Sequence, residues 1–192
     1  AILFGGRRAR TAPLVYQSFD WDHGVFVGST MASETTAAAA GAVGVVRRDP
    51  MAMLPFCGYN MGDYFQHWLD MGKKIEHKPL IFNVNWFRTD SQGHFIWPGY
   101  GDNFRVLEWI LKRCNNQVDA RKTPIGYIPY AKDINLEGLD NFTEADIEGL
   151  LSIEKDVWEE EINGMETHYA KFDRLPAKLS EELKALKARF EA

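Results

Sequence analysis

Residues 85–103 read N-W-F-R-T-D-S-Q-G-H-F-I-W-P-G-Y-G-D-N and hold Trp86, Phe87, Phe95, Trp97 and Tyr100 among glycines, a proline and polar side chains. Rings on turn-rich segments can pinch a planar ligand, and stacking of this kind is worth roughly 1–3 kcal/mol per base. Stacking does not choose between bases; an amide does, through directed hydrogen bonds to the base edge. Asn103, three residues past Tyr100, is placed to supply one. Gly99 and Gly101 would let backbone N–H groups approach a ligand closely. The same rings would also serve as loop-anchoring core residues, and the pattern alone leaves both readings open. A second candidate is G-G-R-R at 5–8, where a strand ending in glycines offers forked guanidinium donors suited to phosphate; a surface turn with solvated arginines fits as well.

Other chemistries find little support. His23, His67, His77, His94 and His168 form neither H-x-x-x-H nor H-E-x-x-H, and no carboxylate pair stands out from the charged faces. No phosphate loop of the form G-x-x-x-x-G-K-S/T occurs, and no Ser-His-Asp arrangement can be argued. Cys57 would be reactive beside an anion site and inert if buried. The residues describe a partial ligand site, with rings, an amide and arginines but no metal set, nucleophile or general base.

The positioning elements are those of a globular α/β chain. Its 192 residues are 45% hydrophobic, 13% aromatic and 26% charged, ample for a core. A net charge of −5 argues against a nucleic-acid binder, which shows a basic face. Cys57 and Cys114 lack metal-type spacing and suggest a reducing, cytoplasmic compartment, which makes the N-F-T triplet at 141–143 incidental. No apolar run approaches the roughly 20 residues needed to span a bilayer, and no signal peptide is expected. The opening A-I-L-F-G-G, without Met, reads as a strand entered in mid-element, and the chain is expected to be part of something longer.

Strands are expected at 1–4, 13–17 and 79–87, the last turned back by D-S-Q-G-H-F as a possible hairpin, and V-G-V-V-R-R-D-P at 43–50 reads as a further strand and its exit turn. Residues 22–41 begin apolar and become small and polar; 34–44 reads as a mobile surface segment. Amphipathic helices are expected over 58–72 and 102–114, the second with Asp102 as N-cap. From about residue 121 the chain is loop with short extended pieces. Thr143 then opens a helix with a capping box closed by Asp146, and two further helices follow, the last after Pro176.

F-G-G-R-R, P-L-V-Y, W-D-H-G-V-F-V-G, R-R-D-P-M-A-M-L-P-F-C-G-Y-N, N-W-F-R, F-I-W-P-G-Y-G-D-N and T-P-I-G-Y-I-P, in this order over the whole chain, closely resemble GTP-dependent phosphoenolpyruvate carboxykinase. The resemblance implies the C-terminal third of an enzyme that converts oxaloacetate and GTP to phosphoenolpyruvate, GDP and CO2 with Mn²⁺ and a second divalent ion, Mg²⁺, in gluconeogenesis or anaplerosis. It implies an α/β fold, a mixed sheet with flanking helices and a helical tail, with 1–120 belonging to the nucleotide-binding lobe and 121–192 a loop plus helical segment of the same lobe. Arg7 would contact nucleotide phosphates. Phe87 and Tyr100 would sandwich guanine, Phe95 would form a third wall and Asn103 would read the base edge, with Trp86, Gly101 and Asp102 completing a pocket over 86–103. Phe56 would lie near the phosphoenolpyruvate site, and 34–44 would be a lid.

The sequence departs from relatives that carry Phe at 100, Glu at 102 and Arg at 32; here these are Tyr100, Asp102 and Ala32. The resemblance places the phosphate loop, the metal ligands and the oxaloacetate-binding arginines before residue 1, so the chain alone is expected to be inactive. The parent would be monomeric, with no nucleic-acid or membrane partner. The competing reading is a non-catalytic scaffold with at most weak nucleotide binding.

Overall fold

The structure is a computed structural model and describes residues 1–36 and 43–191. Strands β1 (Ile2–Gly5), β2 (Val15–Gln17), β5 (Ile81–Val84), β6 (Arg121–Thr123) and β7 (Gly126–Ile128) form one mixed sheet in the order β1-β5-β2-β7-β6. β1 and β5 are parallel, with Phe4 opposite Asn83; the other pairings are antiparallel. A separate ribbon pairs β3 (Ala32–Glu34) with β4 (Val46–Arg48). The helices are α1 (Trp21–Ser29), α2 (Met61–Lys74), α3 (Asn103–Cys114), α4 (Glu144–Leu150), α5 (Lys155–Tyr169) and α6 (Ala177–Glu191). This is the mixed α/β architecture with a helical tail that the sequence implies. β6 and β7 are the short extended pieces expected after residue 121, and they complete the sheet. Among the described residues no helix is long and apolar enough to cross a membrane.

Helix α1 is the element that patterning does not reveal. Its Gly24, Val25, Val27 and Gly28 are poor helix formers, so local propensity hides it. Burial overrides propensity: eight of its nine residues are buried, as for a helix apolar all round. Asp20 caps it by accepting from the His23 N–H at 2.8 Å. The two glycines are required by close approach. A Cβ at Gly24 would stand 2.4 Å from Ile81 of β5, and one at Gly28 2.6 Å from Phe4 of β1.

α2 buries Met61, Phe65, Leu69 and Gly72, one helical stripe, behind an Asn60 cap. α3 buries Val106, Trp109 and Ile110, with Trp109 edge-on to Phe82 of β5. Asp102 occupies the N-cap position of α3 but makes no capping bond, because its carboxylate is taken by Arg105. The Thr143 box forms as expected, the Thr143 N–H donating to Asp146 at 2.8 Å. α6 packs on α1 and α5, so the helical tail closes the layer over the sheet.

His23 makes the fold sensitive to acid. Its Nδ1 accepts the Phe19 N–H at 3.0 Å and its ring stacks on Phe19, so the neutral imidazole is the form that fits. Burial, helped by the charge of Arg189 and opposed by Asp20, pushes its pKa from 6.5 down to about 3. Burial likewise takes His168 down to about 4. The unfolded chain protonates these rings below 6.5 while the folded chain does not. The stability they contribute is therefore complete above pH 6.5 and is lost as pH falls toward the folded values. Each histidine should add about 1.4 kcal/mol per pH unit to the slope in that window. Melting curves across it should show this, and His23→Gln should make the slope shallower by one proton; an unchanged slope would contradict the assignment.

Candidate functional site

The ring-bearing loops are held by buried polar crosslinks. Asn85, just past β5 and fully buried, accepts from the N–H groups of Arg8 (3.2 Å) and Phe87 (3.1 Å). Its amide donates to the carbonyls of Arg8 (2.8 Å) and Ala12 (2.7 Å). One side chain thereby ties the G-G-R-R loop to the start of the aromatic segment. Arg88, also buried, donates to the Leu150 and Ser152 carbonyls and pins the segment to the end of α4. Beyond it, Asp90 accepts from the Gln92 and His94 N–H groups (2.8 and 2.9 Å), an Asx-type turn helped by Gly93 at φ +84°. The expected hairpin is reduced to this turn and one antiparallel bridge, Thr89 to Phe95. The two bonds, that from His94 first, hold the Asp90 carboxyl below its usual value.

This turn sets Phe95 edge-on to Phe87, ring centroids 5.8 Å apart at 72°. The Arg7 guanidinium lies 4.1 Å from the Phe87 centroid and 5.9 Å from that of Phe95. Arg7 is held by its backbone, its N–H donating to Ser33 Oγ and its carbonyl accepting from Glu34. Its neighbour turns the other way. Arg8 is buried, with Nη1 donating to Glu161 Oε1 at 2.9 Å and Nη2 to Oε2. Arg48 reaches the same carboxylate at 2.9 Å, and Glu34 stands 3.5 Å from Arg8 Nε. The two arginines of the motif thus have different duties, one at the rings and one in an internal ion network.

The second half of the aromatic segment forms its own group. Trp97 is buried, 6.1 Å from Trp86 and 6.0 Å from Phe142, and its Nε1–H donates to Asn103 Oδ1 at 2.8 Å. Gly99, at φ +145°, makes the turn into a 3-10 helix (Tyr100–Asp102) that leads into α3. Asp102 pairs with Arg105 at 3.0 Å. Gly101 has open space around its Cα. The structure therefore brings together Arg7, Phe87 and Phe95, and separately Trp86, Trp97 and Asn103. Tyr100 is 93% exposed and Phe56 76% exposed, and neither makes a ring contact with these groups. A cleft of about 890 Å³ is lined by Arg8, Arg48, Glu161 and His168 among others and includes none of the clustered rings.

A family model described as phosphoenolpyruvate carboxykinase C-terminal P-loop domain matches residues 1–189. The chain is 51% identical over 189 residues to phosphoenolpyruvate carboxykinase (GTP) of Thermoplasma volcanium, covering 98% of this chain and 32% of that protein. It is 53% identical over 192 residues to the protein of that name from Paenarthrobacter aurescens, and 53% identical over 194 residues to that from Treponema pallidum. Each of these alignments covers 98% of this chain and 31% of the relative. The chain belongs to the GTP-dependent phosphoenolpyruvate carboxykinase family. It spans about a third of the length of these curated relatives.

The carboxykinase domain is described as a P-loop domain, yet this sequence has no G-x-x-x-x-G-K-S/T motif. Among the described residues no group of three or more His, Cys, Asp or Glu side chains could hold a metal ion. Three residues that organise this carboxykinase segment have no role in the sequence reading: Asn85, Arg8 as an internal cation, and Glu161. Asn85 carried a usable signal, an Asn directly after a strand and two residues before Phe87. Glu161 carried none, because W-E-E-E reads as a solvated face.

Proposed function

We propose that this chain is the guanine-nucleotide-binding portion of an enzyme that decarboxylates and phosphorylates oxaloacetate with GTP, giving phosphoenolpyruvate, GDP and CO2. The observation that carries the reading is the Arg7 guanidinium seated 4.1 Å from the Phe87 ring, with Phe95 beside both. A phosphate-type donor and stacking rings drawn from distant parts of the chain meet at one place, which suits a nucleotide's anionic end and its base. Arg7 offers its free guanidinium edge to a phosphate oxygen from its place over the Phe87 ring. Phe87, Phe95 and Tyr100 wall the base, Tyr100 from an exposed position on the 3-10 helix that leaves it free to close over a ligand. Asn103 reads the base edge, with Trp86 behind Trp97 and with Gly101 and Asp102 in the same turn.

Phosphoryl transfer of this kind rests on positioning and charge neutralisation. This segment supplies base recognition and one cation. The divalent ions and the oxaloacetate and phosphoenolpyruvate sites are assigned to the rest of a cytoplasmic, monomeric parent, and the chain alone is inactive. The lid is assigned to 34–44, of which 37–42 lie outside the described residues; its base is the β3–β4 ribbon. Phe56 is assigned to the phosphoenolpyruvate side.

Calorimetric titration with GDP and ADP tests the reading. GDP should bind more tightly than ADP, and Asn103→Ala should remove about 1–3 kcal/mol of that preference. Equal affinity for the two nucleotides in the parent protein would sink the proposal.

A further inference from the structure

We infer that Trp97 sets the base preference of the site by locking the Asn103 side-chain amide in one of its two orientations; the inference rests on the guanine reading proposed above. An asparagine amide has one accepting and one donating end, and exchanging them costs little unless a neighbour objects. Here the neighbour is the Trp97 indole, which can only donate. Its Nε1–H lies 2.8 Å from Oδ1, so the opposite orientation would set N–H against N–H. The indole cannot turn to accommodate that, being 3% exposed and packed against Trp86 and edge-on to Phe142. The backbone of Asn103 is equally fixed at the start of α3, its N–H donating to the Tyr100 carbonyl. Nδ2 makes no hydrogen bond among the described residues, and Oδ1 keeps one lone pair beyond that used by Trp97.

The orientation decides the base. On the Watson–Crick edge guanine presents an acceptor at position 6 beside a donor at position 1, and adenine presents the reverse. An amide offering Nδ2 to position 6 and Oδ1 to position 1 complements guanine. The same amide turned over complements adenine. A free asparagine could therefore serve either base, and the donor-only indole behind it removes that freedom. Trp97 needs no contact with the nucleotide to do so; it is a positioning residue.

The test measures GDP and ADP affinities by calorimetry in the full-length protein carrying this chain, as wild type, Trp97→Phe, Asn103→Ala and the double variant. Phe keeps a ring between Trp86 and Phe142 and deletes the donor. Trp97→Phe should lower the GDP-over-ADP preference about tenfold, GDP weakening while ADP does not. With Asn103→Ala in place, the further change in that ratio should be under about twofold, because the two residues act as one unit. An unchanged ratio, an equal loss for both nucleotides, or an undiminished ratio effect in the Asn103→Ala background would overturn the inference. If Asn103→Ala itself leaves the ratio intact, the guanine reading fails instead. Should Trp97→Phe unfold the protein, 3-benzothienylalanine at position 97 keeps the bicyclic shape, removes only the N–H, and is held to the same outcomes.

Discussion

Replacing Glu161 by Gln should lower the free energy of unfolding by about 3–5 kcal/mol, the usual cost of deleting one partner from a buried ion network. Glu161 holds two cations at once: Arg8 through both carboxylate oxygens, and Arg48 at 2.9 Å. All three side chains are less than 10% exposed. Burial alone would push the Glu161 carboxyl up, but the Arg8 hydrogen bond and charge, joined by Arg48, outweigh it and hold it below the ordinary value. Its contribution is therefore present above the unfolded value of 4.5 and disappears as pH falls through the lower folded one. Gln keeps the shape and one acceptor but leaves two buried guanidinium groups facing a neutral amide.

Arg8 loses most by this. Its remaining partners are Thr11 at 3.1 Å and, more distantly, Glu34. Arg48 still donates to the carbonyls of Thr30 and Gly164. Denaturant unfolding should show the loss, and Asp70→Asn, which breaks an exposed pair with Lys73, should leave the unfolding midpoint nearly unchanged by the same measurement. A Glu161→Gln effect as small as that would mean that the network is not desolvated. The consequence reaches the site as well, because the Arg8 backbone is bonded to Asn85, which also fixes the Phe87 N–H.

The parts of this fold that sequence reveals are those in which local pattern and tertiary role agree. The stripe Met61, Phe65, Leu69 and the Thr143–Asp146 box are of this kind: side-chain spacing is the cause of the structure, so spacing discloses it. α1 is hidden because its stability comes from burial against β1 and β5, and its glycines answer to Ile81 and Phe4 rather than to helix propensity. The G-G-R-R motif discloses that cations sit at a strand end. Which arginine faces the rings depends on a carboxylate more than 150 residues away. Asp102 looks like a cap in sequence and becomes the partner of Arg105, since a charged neighbour one turn on competes with the backbone N–H groups. The aromatic segment discloses its rings but not their division into an Arg7 group and a Trp97 group. That division is made by Asn85, Arg88 and the Asp90 turn, polar residues bonded mainly to backbone, part of it placed by distant elements.

Phe87→Ala should produce the largest loss of nucleotide affinity of any single ring substitution, about 2–3 kcal/mol, the upper part of the range for one stacked base. Two contributions combine at this ring. It offers a face to the base, and it carries the Arg7 guanidinium 4.1 Å from its centroid, so its removal also frees the cation that the proposal assigns to phosphate. Phe95, 57% exposed and more distant from Arg7, should lose less when cut to Ala. Tyr100, which holds no other ring, should lose only its own stacking. Because stacking does not distinguish bases, Phe87→Ala should weaken GDP and ADP alike, whereas Asn103→Ala should weaken GDP selectively. The two variants therefore separate the platform from the reader, and titration of each with both nucleotides in the parent protein checks this. A Phe87→Ala protein that binds GDP as the wild type does would place the base elsewhere and reduce the Arg7–Phe87 contact to a packing feature of the loop. A loss confined to GDP would instead mean that Phe87 acts through Asn103 rather than beneath the base.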